Sequence, residues 1–305
     1  MHPRDVTEPI LRDDDRAVWE AWMRAAAVHG RTQAFARKVE RARVAVIEAC
    51  EWVEQHPVPG RTEPPGASMS SGKDSTVMGH LIAVLAGCRH VVAVTQQDDL
   101  DYPGEHEFAA ERAARFGMAQ HIVSPHESVR AQIASAAERG ELRSYDELHT
   151  RASRIPRETF FALLEADNLT RPIAFLGLRR EESRNRDRVA TWASIEAARL
   201  RESGGDGPRS GLTRWHKGSG HWRCYPIADF TGLDVYAYAA RYDVSLLPVY
   251  QCVGLMHRRD PSRIRVDGWV PGGHTADGQV AWLRRYYPSL YRQLCEWMPD
   301  ASMYT

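Results

Sequence analysis

The sequence predicts an α/β fold, a doubly wound and mostly parallel sheet, and three observations predict it. Short β-branched or apolar runs, HVVAVTQQ at 90–97, QHIVSP at 120–125 and RPIAFLGLRR at 171–180, alternate with stretches of helical periodicity. Glycine or proline punctuates the junctions. The 305 residues, 43% of them hydrophobic, are enough to bury a large core without staples. In such a sheet ligands bind at the carboxyl ends of the strands.

In chain order, residues 13–56 carry apolar positions at helical spacing (Val18, Trp22, Ala25, Ala26), which predicts one or two helices with a structural role. HPVPGRTEPPGAS at 56–68, with four prolines and two glycines, breaks the helix. STVMGHLIAVLAG at 75–87 is an amphipathic helix that stops at Gly87, and EHEFAAERAARFG is a helix that stops at Gly117. IPRETFFALLEADNL at 155–169 predicts a further helix before the strand at 171–180. The span 198–224, glycine-rich and basic, reads as a mobile excursion over the site. The resulting organisation is a helical N-terminal extension over 1–60, an α/β domain over 61–260 and a helical C-terminal segment over 261–305.

Lys plus Arg and Asp plus Glu both total 40. No global field favours nucleic acid or an anionic membrane, so any anion must be met by a local cluster of arginines. The first 16 residues lack an apolar run and no later stretch is apolar for long enough to span a bilayer, which predicts a cytoplasmic protein. The five cysteines are scattered, with no C-x-x-C pair, which argues against a disulfide framework, a zinc site or an iron–sulfur cluster.

The densest chemistry lies in SMSSGKDSTVM at 68–78. A turn that enters a helix presents unpaired N–H groups and the positive end of the dipole, a natural seat for phosphate. Gly72 permits close approach, Ser70, Ser71 and Ser75 add hydroxyls, and Lys73 adds charge. Asp74 beside them either holds a divalent cation or caps the helix. This is not a Walker loop, because Ala67 stands where its first glycine belongs and Asp74 replaces its hydroxyl residue. A second cluster, FLGLRREESRNR, sets Arg179, Arg180, Arg184 and Arg186 after a buried strand, with Glu182 to orient them; forked guanidiniums match phosphate or sulfate oxygens. Further on, Thr231 is placed to cap a helix with Asp234 in its first turn and Val235, Tyr238 and Ala239 on its apolar stripe, while Asp229 either touches substrate or is structural.

SSGKDSTVM resembles the pyrophosphate-binding loop, S-x-G-K-D-S, of the adenine nucleotide α-hydrolase superfamily, whose members cleave ATP between the α and β phosphates or bind related adenylated sulfur compounds. FLGLRREESRNR resembles the G-x-R-R-x-x-S-x-x-R segment of phosphoadenylylsulfate reductases, and is similar to the arginine-rich segment of the small subunit of sulfate adenylyltransferase. YPIADFTGLDVYAYAARYDVSLLPVYQ at 225–251 resembles a segment both families carry next, P-[IL]-x-[DN]-[WF]-T-x-x-D-V-x-x-Y. QDDLDYPGEHEF at 97–108 echoes their acidic strand end, where Asp98 and Asp99 reach ribose or metal. The apolar strand expected before the loop is, in this chain, the short and proline-rich EPPGASM.

The resemblance implies a nucleotide site of Ser70, Ser71, Gly72, Lys73, Asp74, Ser75, Asp98, Ser183 and Asp229. It implies Lys73, Asp74, Arg179, Arg180 and Arg186 as catalytic groups, and Asp74 as the ligand of Mg²⁺. The implied ligand is ATP or a related adenylated sulfur nucleotide, with no iron–sulfur cluster. The E-C-G-x-H of thiol-dependent reductases is absent, which leaves Cys252 and Cys295 as non-standard alternatives and disfavours reduction. Adenylyl transfer, which needs no protein nucleophile, is the favoured reading; the acceptor is sulfate, a group to be thiolated, or a flavin phosphate. A non-catalytic nucleotide-binding subunit of a larger complex is the other alternative. A partner subunit or a homo-oligomer fits either, a membrane fits neither, and nucleic acid is not favoured.

Overall fold

The structure is a computed structural model that describes residues 8–125, 127–141, 170–253, 261–264 and 278–304, with residues 144, 147, 162, 163, 166 and 167 between them. Residues 13–56 form two helices, α1 (Asp13–His29) and α2 (Gln33–Gln55). Thr32 starts α2 by accepting the Phe35 N–H at 3.2 Å, and the proline-rich stretch ends it.

The α/β unit follows as β1 (Gly66–Ser68), α3 (Lys73–His80), β2 (Val92–Gln96), α4 (Glu105–Phe116), β3 (Gln120–Val123) and α5 (Val129–Glu138). After it come β4 (Ile173–Phe175), α6 (Arg184–Ser203), β5 (Thr213–His216), β6 (His221–Cys224) and α7 (Gly232–Tyr242). α8 (Gln279–Tyr286) and α9 (Pro288–Trp297) close the chain. α3 runs on into a π-helical turn at Leu81–Leu85, and Gly117 ends α4 at φ 71°, the left-handed stop its position predicts. The helix expected over 155–169 lies almost wholly outside the described residues.

Among the described residues the sheet has the order β3-β2-β1-β4-β6-β5, parallel throughout except for the β5–β6 pair. Strands add outward on one side of β1 as far as β3 and then resume on its other side with β4. The switch point of this doubly wound sheet therefore lies between β1 and β4. β1 is short because prolines 64 and 65 have no N–H to give, yet the Pro65 carbonyl still accepts Val92 N at 2.9 Å and starts the ladder.

One expectation is corrected. The span 198–224 is no excursion over the site: it ends α6 and then forms the β5–β6 hairpin, with β6 paired to β4 (Ile173↔Trp222, Phe175↔Cys224). Its glycines sit mostly between α6 and β5 and in the hairpin turn, while TRWH and HWRC have a strand's alternation. Trp215 and Trp222, opposed across the hairpin, meet edge to face at 5.4 Å.

The N-terminal helices share a core with the sheet, while α8 and α9 pack with α5 and the chain beyond β2. Trp19 and Trp22 of α1 stand edge-on to Tyr236 of α7 at 5.6 and 5.9 Å. Asp234, fully buried, closes a capping box with Thr231 and takes Lys38 of α2 at 2.6 Å and His29 of α1 at 2.7 Å. Tyr286 of α8 gives its hydroxyl to buried Asp15 at 2.5 Å. No helix among the described residues is long and apolar enough to cross a membrane.

Candidate functional site

The switch point places two loops side by side: residues 69–72 lead from β1 into α3, and residues 176–183 lead from β4 into α6. The second loop passes close over the start of α3 at Gly177, where a Cβ would lie 3.3 Å from both Asp74 C and Ser75 N. A side chain there would push the arginine loop off the helix start. Between the loops and Tyr250 lies a cleft of about 200 Å³.

Gly72 is the N-cap of α3. The Ser75 hydroxyl lies within reach of both the Gly72 carbonyl (2.9 Å) and the Ser70 carbonyl (3.1 Å), which tightens the turn. The Lys73 N–H donates to the Tyr250 hydroxyl at 2.8 Å. The Lys73 side chain, only 3% exposed, donates from Nζ to the Ile264 carbonyl at 3.1 Å and lies 3.1 Å from Asp74 Oδ2. Its ammonium also sits 5.3 Å from the centre of the Tyr250 ring.

Asp74 joins the two loops. Its Oδ1 meets Arg179 Nε at 2.6 Å, and Arg179, 2% exposed, is further paired with Glu181 and, at 3.7 Å, with Glu182. Burial alone would weaken that guanidinium's hold on its proton; the carboxylates of Asp74, Glu182 and Glu181 outweigh it and raise the pKa. Glu182 also accepts the Arg179 N–H at 3.1 Å and pairs with Arg186, which reaches the cleft.

Of the residues picked out by sequence, Ser70, Gly72, Lys73, Asp74, Ser75 and Arg186 line the cleft, and Arg179 braces it through Asp74. Ser71, buried, turns its hydroxyl onto the Glu105 carbonyl at 3.2 Å, and Ser183 caps α6 by accepting Arg186 N at 3.2 Å. Arg180 and Asp229 do not line the cleft. They pair with each other at 2.8 Å, Asp229 takes Arg41 at 2.7 Å, and Arg180 bonds Ser194 of α6 at 3.1 Å. Asp98, beyond β2, lies off the cleft lining and accepts the Leu100 N–H at 2.6 Å; burial and the neighbouring Asp101 push its carboxyl up to about 7. Sequence reasoning did not single out Ser68, Leu176, Gly177, Leu178 or Tyr250 of the lining. Gly177 had a signal, its place in the G-x-R-R string, whereas Tyr250 had none, because its hydroxyl reaches α3 from 177 residues away.

Cys252 is fully buried in the core that α8 and α9 complete, and burial raises its thiol pKa well above the ordinary value. Cys295 is half-buried. The described residues contain no group of three His, Cys, Asp or Glu side chains placed to hold a metal. Each Asp74 oxygen faces a cation of the protein itself, so the carboxylate is a poor fit for a resident Mg²⁺.

A helix-capping, serine-rich loop at the switch point of a mostly parallel sheet, facing an arginine loop, defines a nucleotide-binding protein of the PP-loop, adenine nucleotide α-hydrolase class. Within that class the chain belongs to the phosphoadenosine phosphosulfate reductase domain family, which it matches over residues 64–257. None of the curated proteins matches it. Among solved structures it is similar to the NH3-dependent NAD synthetase from Campylobacter jejuni, with 14% identity, 70% of this chain and 75% of that one covered, and a TM-score of 0.40. The NMN synthetase from Francisella tularensis gives 14%, 68%, 71% and 0.40, and the U34-tRNA thiolase NcsA from Methanococcus maripaludis, with its [4Fe-4S] cluster, 12%, 69%, 66% and 0.40. Likeness that distant transfers no residue's role.

Proposed function

We propose that the chain is an ATP-using enzyme that cleaves between the α and β phosphates and adenylylates an oxygen acceptor. The observation that carries this reading is the shared cleft: the N-terminus of α3, the buried Lys73 and Arg186 in the first turn of α6 converge on one space. The acceptor oxygen attacks the α-phosphorus, the bond from that phosphorus to the bridging oxygen breaks, and pyrophosphate leaves with the electron pair. Helix amides and Lys73 hold the departing phosphates. Two of the three ammonium donors face Ile264 and Asp74, which leaves one for a phosphate oxygen. Arg186 neutralises charge on the incoming oxyanion or the α-phosphate. Such catalysis is positioning and charge stabilisation, and needs no protein nucleophile.

Magnesium belongs to this proposal as an ion carried in on the nucleotide's phosphates, since Asp74 offers it no oxygen clear of a cation. The burial and raised thiol pKa of Cys252 weigh against the alternative of a thiol-dependent reductase. Incubating the protein with ATP, magnesium and candidate acceptors (sulfate first), with products read by mass, tests the proposal. Pyrophosphate and an adenylylated acceptor are the expected products, and Lys73→Ala should lose pyrophosphate release while keeping its circular dichroism. Undiminished release by Lys73→Ala would remove the loop from the chemistry.

A further inference from the structure

A second charged cavity lies where α3, α4 and α7 end. It has a volume of about 160 Å³ and is walled by His80, Arg112, Arg115, Phe116 and Tyr242, with Asp243 at its edge. His80 is the last residue of α3 and Lys73 the first, seven positions and two helical turns away, so this cavity stands about 10 Å along the helix from the nucleotide cleft.

Arg112 is the unusual group. It is 4% exposed, its Nη2 is taken by Glu111, and its Nε and Nη1 are buried with no acceptor. A buried guanidinium with two idle donors is costly unless something meets them. Helix dipoles explain a basic side chain in a last turn, and Arg115, half-exposed and 3.9 Å from Asp243, fits that role. They do not explain Arg112, whose idle nitrogens reach none of the helix-end carbonyls.

We propose that this cavity binds a small tetrahedral oxyanion of the sulfate or phosphate type. Its volume of about 160 Å³ has room for one centre with four oxygens. Arg112, with Nε and Nη1 unpaired, lines the inner wall, and Arg115 supplies charge at the mouth. His80, hydrogen-bonded through Nδ1 to the Tyr238 hydroxyl at 2.9 Å and packed edge-on to Phe116 at 5.3 Å, forms the floor. Burial and Arg115 together hold its pKa down to about 4, so at neutral pH the imidazole is uncharged and the site's positive charge comes from the two arginines.

His80 is the reporter. In histidine-labelled full-length protein its ring signals, assigned with His80→Gln, are followed while sodium sulfate and then sodium phosphate are added at constant ionic strength against a chloride control. The expected result is a saturable shift with either oxyanion and none with chloride. Arg115→Gln should weaken it about tenfold, and Arg112→Gln should abolish it. Lys73→Ala should leave the response intact, which separates this site from the cleft. If Arg112→Gln does not fold, Arg115→Gln, altered only at the rim, carries the test. Flat His80 signals, an equal response to chloride, or an unchanged midpoint in Arg115→Gln would overturn the assignment.

Discussion

Replacing Asp74 with asparagine isolates the joint between the two loops. The amide keeps the shape and one acceptor and removes the charge, leaving Lys73 (3% exposed) with the Ile264 carbonyl and the Tyr250 ring and Arg179 (2% exposed) with Glu181 and Glu182. At separations of 3.1 and 2.6 Å, and an effective dielectric of about 20, the two ion pairs are worth about 5 and about 6 kcal/mol gross. Desolvation of three charges cancels most of that. Removing one partner of a buried pair costs about 3–5 kcal/mol in practice, and the surviving amide acceptor returns about 1 kcal/mol. Asp74→Asn should therefore destabilise the protein by about 2–4 kcal/mol. Urea unfolding followed by tryptophan fluorescence, in chelator and without nucleotide, reads this directly. A carboxylate that served only as a metal ligand would show no loss under those conditions. A stability change within about 0.5 kcal/mol, the range of ordinary surface substitutions, would refute the joint.

Two further outcomes follow from buried titratable groups. Asp98, at about 7 when folded against roughly 3.9 in the unfolded chain, favours the folded state fully below the lower value, and that contribution is lost as pH rises through the upper one. The urea midpoint should fall from pH 5 to pH 8 and flatten in Asp98→Asn. It should not become level, because the hydrogen bond that His106 gives to Asp101 raises the pKa of His106 and contributes in the same direction. An equal fall in both proteins would reject the assignment. Of the five cysteines, Cys50, Cys88, Cys224 and Cys252 are buried and Cys295 is half-buried. A thiol-specific chromogenic reagent should therefore titrate one thiol in the native protein and all five in denaturant, and rapid native reaction at Cys252 would return the reductase reading to contention.

The alternation of strands and helices, the glycine stop of α4 and the Thr231–Asp234 cap were legible because each is local: a few neighbouring residues hold the signal. The hairpin at 213–224 was hidden by the glycines around it, which dominate the composition of a span whose two strands are four residues each. Arg180 shows the limit of a charge cluster. It follows Arg179 directly, yet one residue of extended chain turns it to the opposite side, onto Asp229 and α6. Sequence ranks such neighbours alike. Only the packing of α6 and Arg41 of α2 against Asp229 separates the arginine that braces the cleft from the one that fastens a helix.

The same division runs through all three resembling segments and has one topological cause. β1 and β4 are neighbours at the switch point although about a hundred residues separate them, so the loops leaving their carboxyl ends meet without either reaching far. The third segment has no strand at that point; it reaches the cleft by its tail, where the Tyr250 hydroxyl takes the first amide of α3. Its own helix is held elsewhere, by Asp234 on Lys38 and His29 and by the Tyr236 hydroxyl on the Pro261 carbonyl. The lead-in helices are thus coupled to the cleft through α7: what fixes Asp234 fixes the chain that carries Tyr250, eight residues beyond the helix end. A helical extension that only covered a core face would need neither the buried carboxylate nor its Lys38 and His29 partners from separate helices.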